Sequence, residues 1–169
     1  MTADPSRQES ARLDILRSCA ILDTKPEPDF DDLAAVAASV TGASTAVVAF
    51  VDETRWWVKA RVGDVPASLS RDAVLCHEAF ERAEALVIDD LAAHDFQPSA
   101  PEVGVGARAF AALPLVVDGG LPVGVLCVAG PTPHSFGPIH VAALARIARH
   151  IVRLLSFRRH AARLAEAHE

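Results

Sequence analysis

The 169-residue sequence contains no asparagine, no tyrosine, two lysines and three cysteines. The odd, scattered cysteines at positions 19, 76 and 127 do not fit the disulfide framework of a small secreted domain, so we expect reduced thiols and a cytoplasmic protein. Positive charge is also in deficit. The formal net charge of −6 argues against general affinity for nucleic acid or for an anionic membrane surface. No apolar run is long enough to span a membrane.

Several motifs of nucleotide and metal enzymes are missing as well. The sequence has neither a Gly-x-x-x-x-Gly-Lys loop nor a Gly-x-Gly-x-x-Gly fingerprint, and Gly104 and Gly106 lack the third glycine and the helix start that phosphate binding needs. The stretch Ser68-Leu69-Ser70 is not a nucleophile elbow. Cysteine and histidine are too scattered for the ligand spacing of a dedicated zinc site, so we predict no metal.

The chain length and the fraction of hydrophobic residues predict one domain with a sizeable core. Helices are predicted at both ends of the chain. The first helix is predicted over 6–20. The second is predicted to start near Pro28 or Asp29 and to stop at Thr41-Gly42, because acidic residues favour its N-terminus and glycine suits a C-terminal cap.

The last helix is predicted from Pro138 toward the C-terminus, and it is longer than one domain needs. Its apolar stripe between Leu144 and Leu155 can pack on the sheet, but the part beyond Phe157 has little left to bury against. We therefore divide the chain into a domain over 1–156 and a helical extension over 157–169, which a partner helix would cover.

Two predicted hairpins enclose a long middle excursion. The first joins strands over 44–51 and 56–62, and the second joins strands over 108–117 and 122–129. Between them we predict a helix over 70–82, a short strand over 86–88 and an irregular segment over 94–106. Alternation along the second strand places Trp56, Val58 and Ala60 on one face and Trp57, Lys59 and Arg61 on the other.

This order of elements resembles the GAF domain, and the resemblance covers essentially the whole chain. It is carried by the following segments: Ile21-Leu22-Asp23-Thr24 with Pro26-Glu27, Phe30-Asp31-Asp32-Leu33, Val51-Asp52-Glu53, Trp57-Val58-Lys59-Ala60-Arg61-Val62-Gly63, Leu75-Cys76, Val87-Ile88-Asp89-Asp90-Leu91, Leu113-Pro114-Leu115 and Gly124-Val125-Leu126-Cys127-Val128. The resemblance implies an α+β fold with an antiparallel sheet of about six strands. The N- and C-terminal helices would pack on one face, with a pocket-forming helix and loops on the other.

The resemblance also implies a sensory or regulatory role without catalysis. We expect a small-molecule ligand of unknown identity, a homodimer formed through the terminal helices, and an output domain or partner protein that reads the signal. The expected pocket residues are Trp57, Cys76, His77, Phe80, Asp90, Phe96, Arg108, Phe110 and Cys127. Aromatic and aliphatic walls would supply affinity, while Arg108, Asp90 or His77 would orient the ligand. Two simpler interpretations remain open: Arg108 is an edge residue in water, and Asp89 or Asp90 caps the following helical turn.

Cys76 is the residue that could make this domain a redox sensor or an enzyme. His77 and the start of a helix could lower the pKa of its thiol, although a small buried hydrophobe is the simpler interpretation. Free methionine sulfoxide reductases form an enzymatic branch of the GAF family and need a second cysteine in the pocket. Their second cysteine lies just before the Leu-Pro-Leu strand, and here the segment 96–108 contains none. Cys127 and Cys19 are not obvious substitutes, so we do not expect an enzyme.

The lack of cysteine in segment 96–108 also bears on the cofactors that the family can bind. Photoreceptor members of the family attach a bilin through a cysteine at that position, so covalent bilin is not expected here. Heme remains an alternative in which His77 or His94 supplies an axial ligand. The Asn-Lys signature of cyclic-nucleotide-binding members cannot be present in a chain without asparagine.

Overall fold

The computed structural model describes residues 4–71, 74–93 and 106–168. The protein is built on a six-stranded sheet with the order β3-β2-β1-β6-β5-β4, in which all neighbours are antiparallel. The strands are β1 Thr45–Val51, β2 Arg55–Val62, β3 Ser68–Ser70, β4 Leu86–Ile88, β5 Ala109–Val116 and β6 Pro122–Gly130. The predicted α+β class and the strand number are confirmed.

Helices cover both faces of this sheet. They are α1 Pro5–Ser18, α2 Pro28–Thr41, α3 Val74–Arg82 and α4 Pro138–Ala167, with a short 3-10 turn at Leu91–Ala93. The first core cluster joins Leu16 of α1, Phe30 of α2 and Ile151 of α4 to the sheet, and we call this side the helix face. The second cluster joins Leu75 and Ala79 of α3 to the opposite side, which we call the α3 face. The predicted two-sided arrangement is therefore confirmed.

Local signals set the ends of α2. Pro28 occupies the first turn, where its missing N–H is not needed. Gly42 ends the helix with φ +70°, a conformation that glycine adopts without steric cost. Inside the helix, Phe30, Ala34 and Ala37 are buried at the spacing of one helical face.

A β-bulge in β2 corrects the predicted alternation. The register with β1 shifts so that Val48 pairs with Ala60 and Ala49 pairs with Val58, which leaves Lys59 as the extra residue. Trp56 and Val58 share the α3 face, whereas Ala60, which was predicted to share their side, lies on the helix face. A bulge changes which face every later residue of a strand occupies, and alternation alone cannot reveal it.

The helix predicted over 70–82 begins later. Ser68–Ser70 instead forms the edge strand β3, which pairs with Arg55–Trp57 of β2, and α3 starts at Val74. Three residues are too few to show a strand period in the sequence.

The last helix has 30 residues, or about 45 Å at 1.5 Å per residue. Leu144, Ile151 and Leu155 are fully buried against the sheet and α2, whereas Phe157 is 76% exposed. Among the described helices, none combines the length and the apolar content needed to cross a membrane.

Candidate ligand site

Trp56 is the most unusual residue of the α3 face. Its side chain is fully buried, yet the indole Nε1–H has no hydrogen-bond acceptor in the described part of the chain. The indole meets the ring of Phe80 edge-on, with 5.9 Å between centroids and an interplanar angle of 87°. A buried donor without an acceptor is costly, and most are paired in native proteins. Trp56 therefore provides a donor that a ligand oxygen or nitrogen can satisfy.

His77 extends this aromatic group along α3. Its ring centroid lies 6.0 Å from that of Phe80, and its Nε2 is 3.1 Å from Glu81 Oε1. The other nitrogen, Nδ1, is buried and has no partner among the described residues. Trp56 and His77 thus place two unsatisfied ring nitrogens around one phenylalanine.

A buried arginine reaches the same phenylalanine from α1. The Arg12 guanidinium lies 5.1 Å from the Phe80 ring centroid and donates to Val51 O at 2.6 Å and to both carboxylate oxygens of Glu9 at 2.9 Å. Arg71 also donates to Glu9, at 2.7 Å. The hydrogen bond from Arg12 is the main reason that the pKa of Glu9 falls to about 2. A cleft of about 210 Å³ between α1 and α3 opens onto Arg12 and Phe80.

The floor of the α3 face is apolar. Phe110 is fully buried and Cys127 is 2% exposed, among Ala112, Val125 and Ala129. In the described part of the chain, the buried polar and charged side chains are Arg12, Thr41, Thr45 and Lys59, and none is a carboxylate. A ligand that carries a free ammonium group therefore finds no buried counter-charge among these residues.

Asp90 and Arg108 form an ion pair at the sheet edge beside β4. Two hydrogen bonds of 2.8 Å join the guanidinium to the carboxylate, and Ala92 N donates to Asp90 Oδ1. The bond from Arg108 is the main reason that the pKa of Asp90 falls to about 2. Asp90 therefore caps the turn at Leu91–Ala93, and it lines a cleft of about 450 Å³ that also contains Glu78, Asp89 and His134.

Trp57 lies on the other side of the sheet. It packs against the helix-face cluster, and its ring centroid is 5.9 Å from Lys59 Nζ. The structure thus brings together Phe80 and His77 on α3 and places Phe110 and Cys127 on the same face, but it separates Trp57 from all four. Asp90 and Arg108 stand at the edge. The side chain of Cys76, together with Phe96 and His94, lies outside the described residues.

Sequence reasoning missed three residues of this site: Trp56, Arg12 and Glu9. The sequence did contain a signal for Trp56, because alternation along β2 places Trp56 and Trp57 on opposite faces of the sheet. Trp57 was assigned to the pocket, and the structure places Trp56 on the α3 face instead. Arg12 had none, since a charged residue on an amphipathic helix ordinarily faces water.

Two described cysteines stand on opposite faces of the sheet. Cys19 is fully buried on the helix face, and burial raises the pKa of its thiol. Cys127 is buried on the α3 face. A disulfide needs Cα atoms within about 7 Å and facing side chains, so a sheet between two thiols prevents it. No group of three metal-binding side chains occurs in ranges 4–71, 74–93 and 106–168.

Comparisons with known proteins agree with this architecture. The sequence model of the GAF domain matches residues 28–156, while a search of the curated proteins gave no match. Among solved structures, the free methionine-R-sulfoxide reductase of Neisseria meningitidis is similar at 18% identity, with TM-score 0.64 and coverage of 98% of this chain and 96% of that chain. The GAF domain of Acinetobacter phosphoenolpyruvate-protein phosphotransferase is similar at 19% identity, with TM-score 0.63 and coverage of 87% of this chain and 93% of that chain.

The blue-light-absorbing form of the PixJ GAF domain of Thermosynechococcus elongatus is similar at 18% identity, with TM-score 0.65 and coverage of 92% of this chain and 96% of that chain. At these identities the structures share a fold, and they include a reductase, the GAF domain of a phosphotransferase and a blue-light-absorbing GAF domain. The family match covers most of the sequence, and the sheet order, the two faces and the terminal helices agree with it. The chain belongs to the GAF domain family.

Proposed function

We propose that this chain is a non-catalytic sensory GAF domain that binds a small molecule on the α3 face and passes the signal through its terminal helices as a homodimer. The observation that carries the proposal is the fully buried Trp56 indole, whose N–H has no acceptor in the described part of the chain. A ligand acceptor would recover the cost of this unsatisfied donor.

The surroundings favour a particular ligand chemistry. Phe80, Phe110 and the apolar floor suit a flat or aliphatic body, and the Trp56 N–H calls for a carbonyl, carboxylate or aromatic nitrogen. Glu9 is already held by Arg12 and Arg71, and no described carboxylate is fully buried, so a cationic ligand finds no free counter-charge among these residues. We therefore expect a neutral or anionic ligand.

A chain of contacts links this face to α4. Trp56 and Val58 precede the bulge at Lys59, whose fully buried Nζ donates to Thr24 Oγ1 at 2.7 Å, Lys25 O at 2.7 Å and Glu27 Oε2 at 2.5 Å. Glu27 in turn accepts from Arg158 of α4 at 2.8 Å. If β2 can adopt two positions and the ligand binds more tightly to one of them, ligand binding would also shift the position of α4 through these contacts. From residue 157 onward, the exposed Phe157 and Leu164 offer apolar side chains for pairing of two α4 extensions.

The two tryptophans, one on each face, supply the test. Trp57→Phe leaves Trp56 as the single indole, and Trp56→Phe leaves Trp57 as a matched control. Native mass spectrometry of the purified protein, followed by titration with a panel of purines, carboxylates and short amides, would identify a ligand. We expect that ligand to change the fluorescence of the Trp57→Phe variant and to bind about tenfold more weakly to Trp56→Phe, equivalent to about 1.4 kcal/mol. Equal responses from both variants would contradict a site on the α3 face.

A reductase is the second candidate, because Cys127 lies on the α3 face and Cys76 belongs to α3. Reduction of a sulfoxide by two thiols would form one disulfide, one thioether and one water, so it needs both cysteines. Incubation with free methionine sulfoxide and dithiothreitol tests it. Turnover that is lost in Cys76→Ser and in Cys127→Ser, but not in Cys19→Ser, would replace the non-catalytic proposal.

A further inference from the structure

An apolar groove runs between β5 and α4 on the helix face. It has a volume of about 380 Å³, and Arg149 and Arg153 stand on its rim. Both arginines are exposed, and neither has a carboxylate partner among the described residues. The apolar lining consists of Leu113, Pro114, Val116, Ala145, Ala148 and Val152. The groove therefore combines apolar surface with two unpaired positive charges in a chain whose net charge is −6.

The outer side of α2 carries the complementary features. Val36 is 45% exposed and Val40 is 48% exposed, one helical turn apart. Asp29 and Asp32 precede them on the same exposed side, and neither has a cationic partner in the described part of the chain. Exposed valines beside free carboxylates match an apolar groove beside free guanidinium groups.

The two features also lie at the same height along the helices. α2 and α4 are antiparallel, because Glu27 contacts Arg158 at one end, while at the other end Gly130 lies between Ala43 and Phe136. A Cβ atom at Gly130 would be 3.9 Å from each of these neighbours. Counting from the Glu27–Arg158 contact at about 1.5 Å per residue, Asp32 is level with Arg153 and Val36 is level with Arg149.

A two-fold axis parallel to α2 and α4 leaves the position of each residue along the helix axis unchanged in the second copy. It would place α2 of each copy over α4 and the groove of the other copy. A direct α4-to-α4 contact at this height would instead bring the exposed Arg146, Arg149, His150 and Arg153 against their own copies. Like charges in an interface are unfavourable, so the exchange of α2 is the better arrangement.

We propose that two copies of this chain associate by seating Asp29, Asp32, Val36 and Val40 of each α2 on the partner's groove beside Arg149 and Arg153. Beyond Arg158, which lies beside the start of α2, the two α4 extensions are then free to meet. The inference rests on the homodimer part of the proposed function and is independent of any ligand.

Charge reversal tests it by sedimentation equilibrium on the full chain. The variant Asp29→Lys with Asp32→Lys and the variant Arg149→Glu with Arg153→Glu should each dimerise at least about tenfold more weakly than the original chain. An equimolar mixture of the two should recover a dimer. In that mixed dimer, one contact joins reversed charges of opposite sign and the other joins the original charges, so both are attractive. Recovery also shows that each variant is folded.

Matched controls reverse exposed charges elsewhere. Asp64→Lys with Glu84→Lys, and Arg7→Glu with Arg61→Glu, change the net charge equally and should leave the dimer unchanged. A dimer insensitive to both groove reversals, or a mixture without recovery, would overturn this inference alone. A monomeric original chain at high concentration would overturn the homodimer as well and leave the groove to another acidic, apolar partner.

Discussion

The two faces of the sheet treat their buried polar groups differently. On the helix face, the ammonium of Lys59 is fully buried and donates to three acceptors in the segment before α2, which are Thr24 Oγ1, Lys25 O and Glu27 Oε2. On the α3 face, three residues earlier on the same strand, the Trp56 N–H is equally buried and has no acceptor among the described residues. The helix face therefore satisfies its buried polar group within the fold, whereas the α3 face leaves a donor that the proposed ligand would satisfy.

This difference follows from where each face obtains its partners. The loop before α2 passes directly over Lys59, so backbone and side-chain oxygens are available to it. The cluster beneath α3 consists of apolar side chains, which offer no acceptor. The two faces meet on β2, where Lys59 reaches the helices while Trp56 and Val58 lie on the α3 face, and the bulge at Lys59 brings Ala60 to the helix face as well.

The largest expected effect is on the helix face. Lys59→Ala should lower the free energy of unfolding by about 3 kcal/mol, because it leaves the partly buried oxygens of Lys25 and Thr24 without their donor and breaks a partly buried ion pair. Urea unfolding followed by circular dichroism measures this loss. The control is Arg61→Ala on the same strand, an exposed residue whose loss should change stability by less than about 0.5 kcal/mol. Similar values for the two variants would contradict a structural role for Lys59.

The next effect concerns pH at the border of the α3 face. Hydrogen bonds from Arg12 and Arg71 lower the pKa of Glu9 to about 2, from an ordinary value of 4.5. A carboxyl group with a lowered pKa stabilises the fold above its unfolded pKa, and this stabilisation is lost as the pH falls from about 4.5 toward 2. We expect Glu9→Gln to flatten the fall of the melting temperature across this range, whereas Glu84→Gln, at an exposed position, should leave it unchanged. An unchanged slope in Glu9→Gln would show that the Arg12 contact contributes little.

The smallest effect should come from the unpaired indole. Trp56→Phe removes apolar area, which destabilises the fold, and also an unsatisfied buried donor, which stabilises it. These terms oppose each other, so we expect a net change below about 1 kcal/mol in the ligand-free protein by urea unfolding. A loss of more than about 3 kcal/mol would contradict this near-cancellation and remove the support that it gives to the contrast between the faces.

Several elements could be predicted because their signals are local. Pro28 and Gly42 fix the ends of α2, and β1, β5 and β6 are long apolar runs separated by polar turns. The ion pair of Asp90 and Arg108 shows the opposite case. The sequence could not distinguish a ligand-orienting pair from a capping residue with a surface partner, since the answer depends on two segments 18 residues apart meeting at one edge.

The sequence alone determined the order of helices and strands and the excess length of the last helix, because hydrophobic periodicity and end signals act between near neighbours. The resemblance of that order to the GAF domain then implied the fold and the two-sided helix arrangement. Only the tertiary structure decided that Trp56 rather than Trp57 faces α3, that Lys59 interrupts the alternation, and that Arg12 is buried against Phe80. Each of these depends on the register between β1 and β2 or on contacts between distant elements, and the pairing of whole strands sets that register.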